Sequence, residues 1–247
     1  MTPRPVHLVV DAGVDDALAV MAACLHPGLE LAAVTAAAGN VSLARSAANV
    51  RHVLDVLTVR VGVSRGATVR ADGRPFEHRD VHGPDGLAGV GSSGALSPNA
   101  LASLPVLDDR QRWDSARAQG RPAPPMVMCL APLTSLLQLD PLLEQGQVVA
   151  TYARPGEANH AMDPMAADVV RRTWPVTDAA VHSLPLTPLG HERRTPTVDL
   201  ASRLLEHQRR RGAGLGDAEA VLRLAGETDP VQAFRRLLAN VPAHESP

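Results

Sequence analysis

Three aspartates, Asp11, Asp15 and Asp16, stand together in the stretch VHLVVDAGVDDALAV that runs from Val6 to Val20. Like charges held this close repel, and one is driven to keep its proton unless a cation sits among them. A hard divalent ion such as Ca²⁺ takes several oxygen ligands from carboxylates, carbonyls and waters, and clustered aspartates supply such oxygens. The plainer alternative is that Asp15 and Asp16 only favour a helix N-terminus, where acidic side chains meet the positive end of the backbone dipole.

The elements around these acids set where they fall. Residues 6–10 read as a strand running into Asp11, with Ala12-Gly13-Val14 as a turn. Asp15 and Asp16 open a helix whose Leu18, Met21 and Leu25 recur at helical spacing, and His26-Pro27-Gly28 ends it. Residues 29–37 form a second buried-strand candidate, punctuated by Gly39-Asn40. A helix is predicted from Val41, with Leu43, Ala47, Val50, Leu54 and Leu57 on one face, and a third strand over 58–63. This alternation predicts an α/β fold: a mostly parallel central sheet flanked by helices, with a Rossmann-like core. Ligands of such sheets bind beyond the carboxyl ends of the strands, where Asp11 and Asn40 both fall.

Residues 64–99 are rich in Gly, Asp and Pro and weakly periodic, and loops of that length are usually functional or disordered. Residues 110–125 read as a polar linker. Further strands are predicted at 126–130, 148–152 and 176–182, a short helix at Thr134-Ser135, and a helix opened by Asp163-Pro164 through Val170. The tail reads as helices over 198–209, 217–224 and 231–238. The whole chain, 1–247, is expected to be a single domain with its core in 5–183 and a helical part in 195–240.

Composition narrows the function classes. The chain is 45% hydrophobic and 20% charged, enough for a large core, and its net charge of −2 makes no electrostatic case for nucleic acid or an anionic membrane. Aromatic residues are 2% of the chain, too few to stack on bases. Cys24 and Cys129 lie in apolar runs and read as core residues, not a disulfide. With no leader and no apolar run long enough to span a bilayer, a cytoplasmic protein is expected.

Five motifs, in order, resemble those of the nucleoside hydrolases, the calcium-dependent N-ribohydrolases. The family's D-x-D-P-G-x-D-D-A looks like Val9-Val10-Asp11-Ala12-Gly13-Val14-Asp15-Asp16-Ala17, and its V-x-G-N like Ala37-Ala38-Gly39-Asn40. Its H-G-x-D-G-L-G-G looks like His82-Gly83-Pro84-Asp85-Gly86-Leu87-Ala88-Gly89. Its G-P-L-T-N looks like Ala131-Pro132-Leu133-Thr134-Ser135, and its A-E-F-N then D-P-E-A-A like Gly156-Glu157-Ala158-Asn159 then Asp163-Pro164-Met165-Ala166-Ala167.

The resemblance implies roles residue by residue. Asp11, Asp16 and Asp217 would be carboxylate ligands of Ca²⁺, with the backbone carbonyl of Thr134 another; Asp199 and Asp178 rival Asp217. Asp15 and Asn40 would hold ribose hydroxyls, and Glu157 and Asn159 the sugar from its other side. Asp11 would be the general base for a cation-bound water, and His82 would act near the leaving base. Each has a plainer reading: Asn40, Thr134 and Asp217 as helix caps, His82 as a solvated loop residue, Glu157 and Asn159 as surface loop. Departures are Val9 in place of the motif's first aspartate, Gly216 where the family often has a histidine, a shortened loop before Glu157, and shorter segments around Asp217. The expected activity is hydrolysis of the N-ribosidic bond of a ribonucleoside or related riboside. The alternatives are a degenerate member that binds a ribosyl compound or Ca²⁺ only, and a structural or partner-binding module. By resemblance the chain is expected to form a homodimer or homotetramer.

Overall fold

The computed structural model describes residues 2–77, 80–106, 126–138, 148–150, 157–173, 176–178, 186 and 195–242. β1 (Arg4–Val10) leads to α1 (Val14–Leu25), β2 (Leu29–Ala36), α2 (Leu43–Val56) and β3 (Gly62–Arg65). After α3 (Pro98–Ala102) come β4 (Met126–Cys129), α4 (Thr134–Leu137), β5 (Val148–Ala150), α5 (Ala158–Met162), α6 (Pro164–Thr173) and β6 (Val176–Asp178). Three helices end the described chain: α7 (Pro196–Arg210), α8 (Asp217–Leu224) and α9 (Pro230–Ala239).

The strands form a parallel sheet in the order β3-β2-β1-β4-β5-β6. Strand order reverses between β1 and β4, which opens a crevice beyond their carboxyl ends. Asp11 follows β1 there, and residues 130–134 follow β4.

Both faces of the sheet are covered, which is why its strands read as near-continuous apolar runs. Val6, Leu8 and Val10 of β1 join one core with α1, α2, α7, α8 and α9. Val9 points the other way, into a core with Val127, Cys129, Leu136, Ala167 and Val170. The polar residue inside β1, His7, is buried; its Nε2 lies 2.8 Å from Thr35 Oγ1, which lies 2.8 Å from Ser64 Oγ.

The α/β class and the order of the strands are as the sequence implied, with local corrections. The second helix begins at Leu43, not Val41, because Ser42 is its N-cap and accepts from Arg45 N–H; Asn40 is left for other work. The third strand is Gly62–Arg65, not 58–63. Thr58 takes a φ of 55° and the Val59 N–H bonds the Leu54 carbonyl at 2.9 Å, so the helix's own closing turn consumes the start of that β-branched run. Residues 158–162 form a short helix where a loop was one reading, with Glu157 as its N-cap. The loop expected over 64–99 is shorter: residues 66–97 hold no helix or strand among the described residues, but 64–65 belong to β3 and 98–99 open α3, a short helix that the sequence did not signal. The linker 110–125 and the distal parts of the 148–152 and 176–182 strands lie outside the described residues.

Candidate functional site

Asp11 leaves β1 with its side chain buried, 1% exposed. Asn40, just past β2, grips it twice: the backbone N–H donates to Oδ2 at 2.6 Å and Nδ2 donates to Oδ1 at 3.0 Å. Gly39 permits the approach, because a Cβ there would lie 1.9 Å from Asp11 Oδ2. The same Asn40 Nδ2 lies 3.4 Å from Asp16 Oδ2, so one amide spans two acids.

Asp16 is the third residue of α1 and accepts from the Gly13 N–H at 2.7 Å. This is the helix-start role that the plainer reading gave it. It uses only one oxygen. Asp16 Oδ1 is buried with no hydrogen-bond partner, an arrangement that costs free energy and that a cation would relieve.

One oxygen from each of Asp15, Asp16 and Asp217 lies within 4.8 Å of the other two. Asp217 arrives because α8 packs along α1 and begins with that residue. Two helix N-termini therefore meet at the acids, and their positive ends offset part of the repulsion. The remainder is visible in the carboxyl groups themselves. Burial, then the charges of Asp11, Asp217 and Asp15, holds the Asp16 carboxyl well above the usual range. Burial also lifts Asp11 to about 6, against the lowering effect of its hydrogen bonds with Asp16 and Asn40. Among the described residues no arginine pairs with Asp11, Asp15 or Asp16. Carboxylate oxygens, one of them bare, fit a hard divalent cation.

Asp15 faces His82. His82 is 7% exposed; its Nδ1 accepts from the Val14 N–H at 3.2 Å and its Nε2 lies 3.6 Å from Asp15 Oδ1. The first free N–H of α1 is thus satisfied by a side chain from a distant loop, which the sequence alone did not suggest. Gly216 lies on the other side of Asp15. A Cβ at 216 would sit 2.7 Å from Asp15 Cβ, and the backbone there has φ 58° and ψ −126°. The position where the resembling family often carries histidine has no room for a side chain in this chain.

Beyond β4, Thr134 heads α4, and its hydroxyl donates to Asp163. Asp163 is fully buried and also accepts from the Ala71 N–H at 2.7 Å and the Ala166 N–H at 3.1 Å. It therefore ties together the 66–97 loop, α4 and the start of α6. Sequence reasoning saw only its helix-opening role, since Asp-Pro is a local signal and the other two bonds are not. Asn159, 5% exposed on α5, donates Nδ2 to the Leu130 carbonyl at 2.7 Å, which brings it to the end of β4. Glu157 holds the N-cap position of the same helix, where its carbonyl accepts from the Ala161 N–H at 2.8 Å. Of the rivals to Asp217, Asp199 is exposed in the first turn of α7, and the side chain of Asp178 lies outside the described residues. Val9 packs in the second core behind Asp11, in the company of Cys129 and Leu133.

The profile of the family described as "Inosine-uridine preferring nucleoside hydrolase" matches residues 6–229. The non-specific ribonucleoside hydrolase RihC of Escherichia coli O127:H6 is 29% identical over 184 residues, a match covering 68% of this chain. The chain spans only 58% of that relative's length. Among solved structures, a plant nucleoside hydrolase, the PpNRh1 enzyme, superposes with a TM-score of 0.69 at 22% identity, covering 91% of this chain and 79% of that one. A purine-preferring ribonucleoside hydrolase from Gardnerella vaginalis gives 0.65 at 22% identity, covering 90% and 80%.

Proposed function

This chain belongs to the inosine-uridine preferring nucleoside hydrolase family, and from that premise we propose that it hydrolyses the N-ribosidic bond of a ribonucleoside or related riboside, giving base and ribose, with Ca²⁺ as its cofactor. The observation that carries the reading is the convergence of Asp15, Asp16 and Asp217 beside Asp11, with Asp16 Oδ1 buried and bare.

Asp16 and Asp217 belong both to the expected ligand set and to the gathered trio, so they are the core of the proposed cation site. Asp11 and the Thr134 carbonyl would complete it, leaving Asp15 to hold a sugar hydroxyl. Bound there, the cation would lower the pKa of a water and orient it toward the sugar. The chain's own groups do the rest. Asp11, buried and held by Asn40, takes the proton of the attacking water. Asp15 and Asn40 orient one edge of the ribose, and Asn159, at the end of β4, holds the other with Glu157, two residues before it. The clustered carboxylates favour the positive charge that develops on the sugar as the bond to nitrogen breaks. His82 stands beside Asp15 with Nδ1 engaged by the Val14 N–H, and the departing base takes its proton from solvent. By family likeness the active unit is a homodimer or homotetramer, which light scattering would read.

The test is reducing-sugar release from a panel of ribonucleosides and a nitrophenyl riboside, with calcium and with chelator. Release that requires calcium is expected. Equal rates in chelator remove calcium from the reading. Saturable calcium binding with no release from any substrate supports the second reading, a binding member without turnover, which Val9 and Gly216 favour by departing from the family motif.

A further inference from the structure

The segment His82–Gly91 folds around one carboxylate. Asp85 Oδ1 accepts from the N–H groups of Leu87 at 3.0 Å and Gly89 at 2.9 Å, and Oδ2 accepts from Gly91 at 3.0 Å. The Ala88 N–H closes the turn onto the His82 carbonyl at 2.8 Å. Gly83, Gly86, Ala88 and Gly89 all take positive φ, which points successive N–H groups inward as in an anion-binding concavity. Here the anion is the chain's own side chain.

This cradle is anchored to the site. Asn49, fully buried on α2, donates Nδ2 to the Asp85 carbonyl at 2.7 Å and lies 3.4 Å from the carbonyl of Ala12, the residue after Asp11. Ala12 itself sits at φ 51°, a conformation that an L-residue keeps only when its surroundings impose it. At the other end of the segment, His82 meets the Val14 N–H and Asp15.

We propose that Asp85, with Asn49, is a positioning residue for the acid cluster. Asp85 holds the 82–91 segment in the shape that keeps His82, as its Nε2–H tautomer, against the N-terminus of α1 and beside Asp15. The proposal rests on the reading of that cluster as the cation and sugar site. Its logic is that Val14, Asp15 and Asp16 are consecutive: whatever satisfies the first N–H of α1 also sets the direction in which the next two carboxylates leave the helix.

The imidazole of His82 reports this directly. In nitrogen-15 correlation spectra of the full chain at about pH 8, where an ordinary imidazole is neutral, His82 is expected to show a bare Nδ1 and a protonated Nε2. In Asp85→Asn the two nitrogens move toward the averaged positions of a tautomer mixture. Calcium affinity by calorimetry falls roughly tenfold, the scale of losing a supporting partner of a metal ligand. Leu87→Ala is the control, since the Leu87 side chain roots the segment in the core while its backbone N–H, which bonds Asp85, is kept in the variant. It lowers the thermal midpoint and leaves the His82 pattern alone. An unchanged His82 pattern in Asp85→Asn overturns the proposal, and so does a Leu87→Ala protein that reproduces the Asp85→Asn pattern. Should Asp85→Asn not fold, Asn49→Ser is read in the same way. Absence of calcium binding in the unmodified chain would sink the proposed function, while the imidazole pattern would still decide whether Asp85 positions His82.

Discussion

Gly216 and Asp15 touch so closely that a methyl group at residue 216 would overlap the Asp15 side chain, 2.7 Å from its Cβ and 2.9 Å from its Oδ2. The contact joins the N-terminus of α8 to that of α1, and it is how Asp217 comes to share a site with Asp15 and Asp16. Glycine is required twice over, for the space and for a backbone at φ 58° that side chains rarely adopt.

Gly216→Ala is therefore expected to destabilise the protein by on the order of 1–3 kcal/mol, and to weaken calcium binding by prising Asp217 from Asp15. Urea denaturation with and without calcium measures both. A variant of wild-type stability and affinity would mean that α8 shifts freely along α1.

The raised carboxyl groups give the cation-free protein a pH dependence of definite sign. Asp11, at about 6, and Asp16, held well above its ordinary value, bind protons more tightly folded than unfolded. Stability from such groups is full below their unfolded values and is lost as pH rises through the folded ones. Between pH 5 and pH 7.5 the thermal midpoint in chelator should thus fall, by on the order of several degrees. Calcium should stabilise more at pH 7.5 than at pH 5, because it replaces the protons. A midpoint in chelator that climbs over this range would contradict the arrangement of the acids.

Asn40 and Ser42 separate two roles that the sequence could not. Ser42→Ala removes the α2 cap and should cost about 1 kcal/mol with calcium binding unchanged, since Ser42 touches no acid of the cluster. Asn40→Ala removes the side-chain amide that spans Asp11 and Asp16 and should change calcium affinity and ribose release far more than it changes helix stability. Calorimetric titration beside thermal melts distinguishes them; matching profiles for the two variants would refute the assignment.

His82→Ala should slow hydrolysis of an ordinary ribonucleoside and of a nitrophenyl riboside alike, because His82 acts through Val14 and Asp15. A nitrophenyl leaving group needs no proton, so a variant that spares that substrate alone would restore His82 as the acid for the leaving base.

Much of this was legible in the chain as written. Alternating apolar runs and helical stripes are local properties, and burial on both faces of a parallel sheet leaves no other pattern available; α8 begins at Asp217, where the sequence placed it. The acids at 11, 15 and 16 announce themselves because three carboxylates at the end of a strand are costly without a cation. Through-space partners were not legible. That Ser42 and not Asn40 caps α2 depended on where the chain turns after β2. That His82 satisfies the Val14 N–H, that Asp163 accepts from three segments, and that residue 216 admits no side chain all depended on how crossovers pack against one sheet. Sequence determines which residues can make an element or bear a charge. Tertiary packing alone decides which of them meet, because a hydrogen bond of about 3 Å between segments remote in the chain has no local signature.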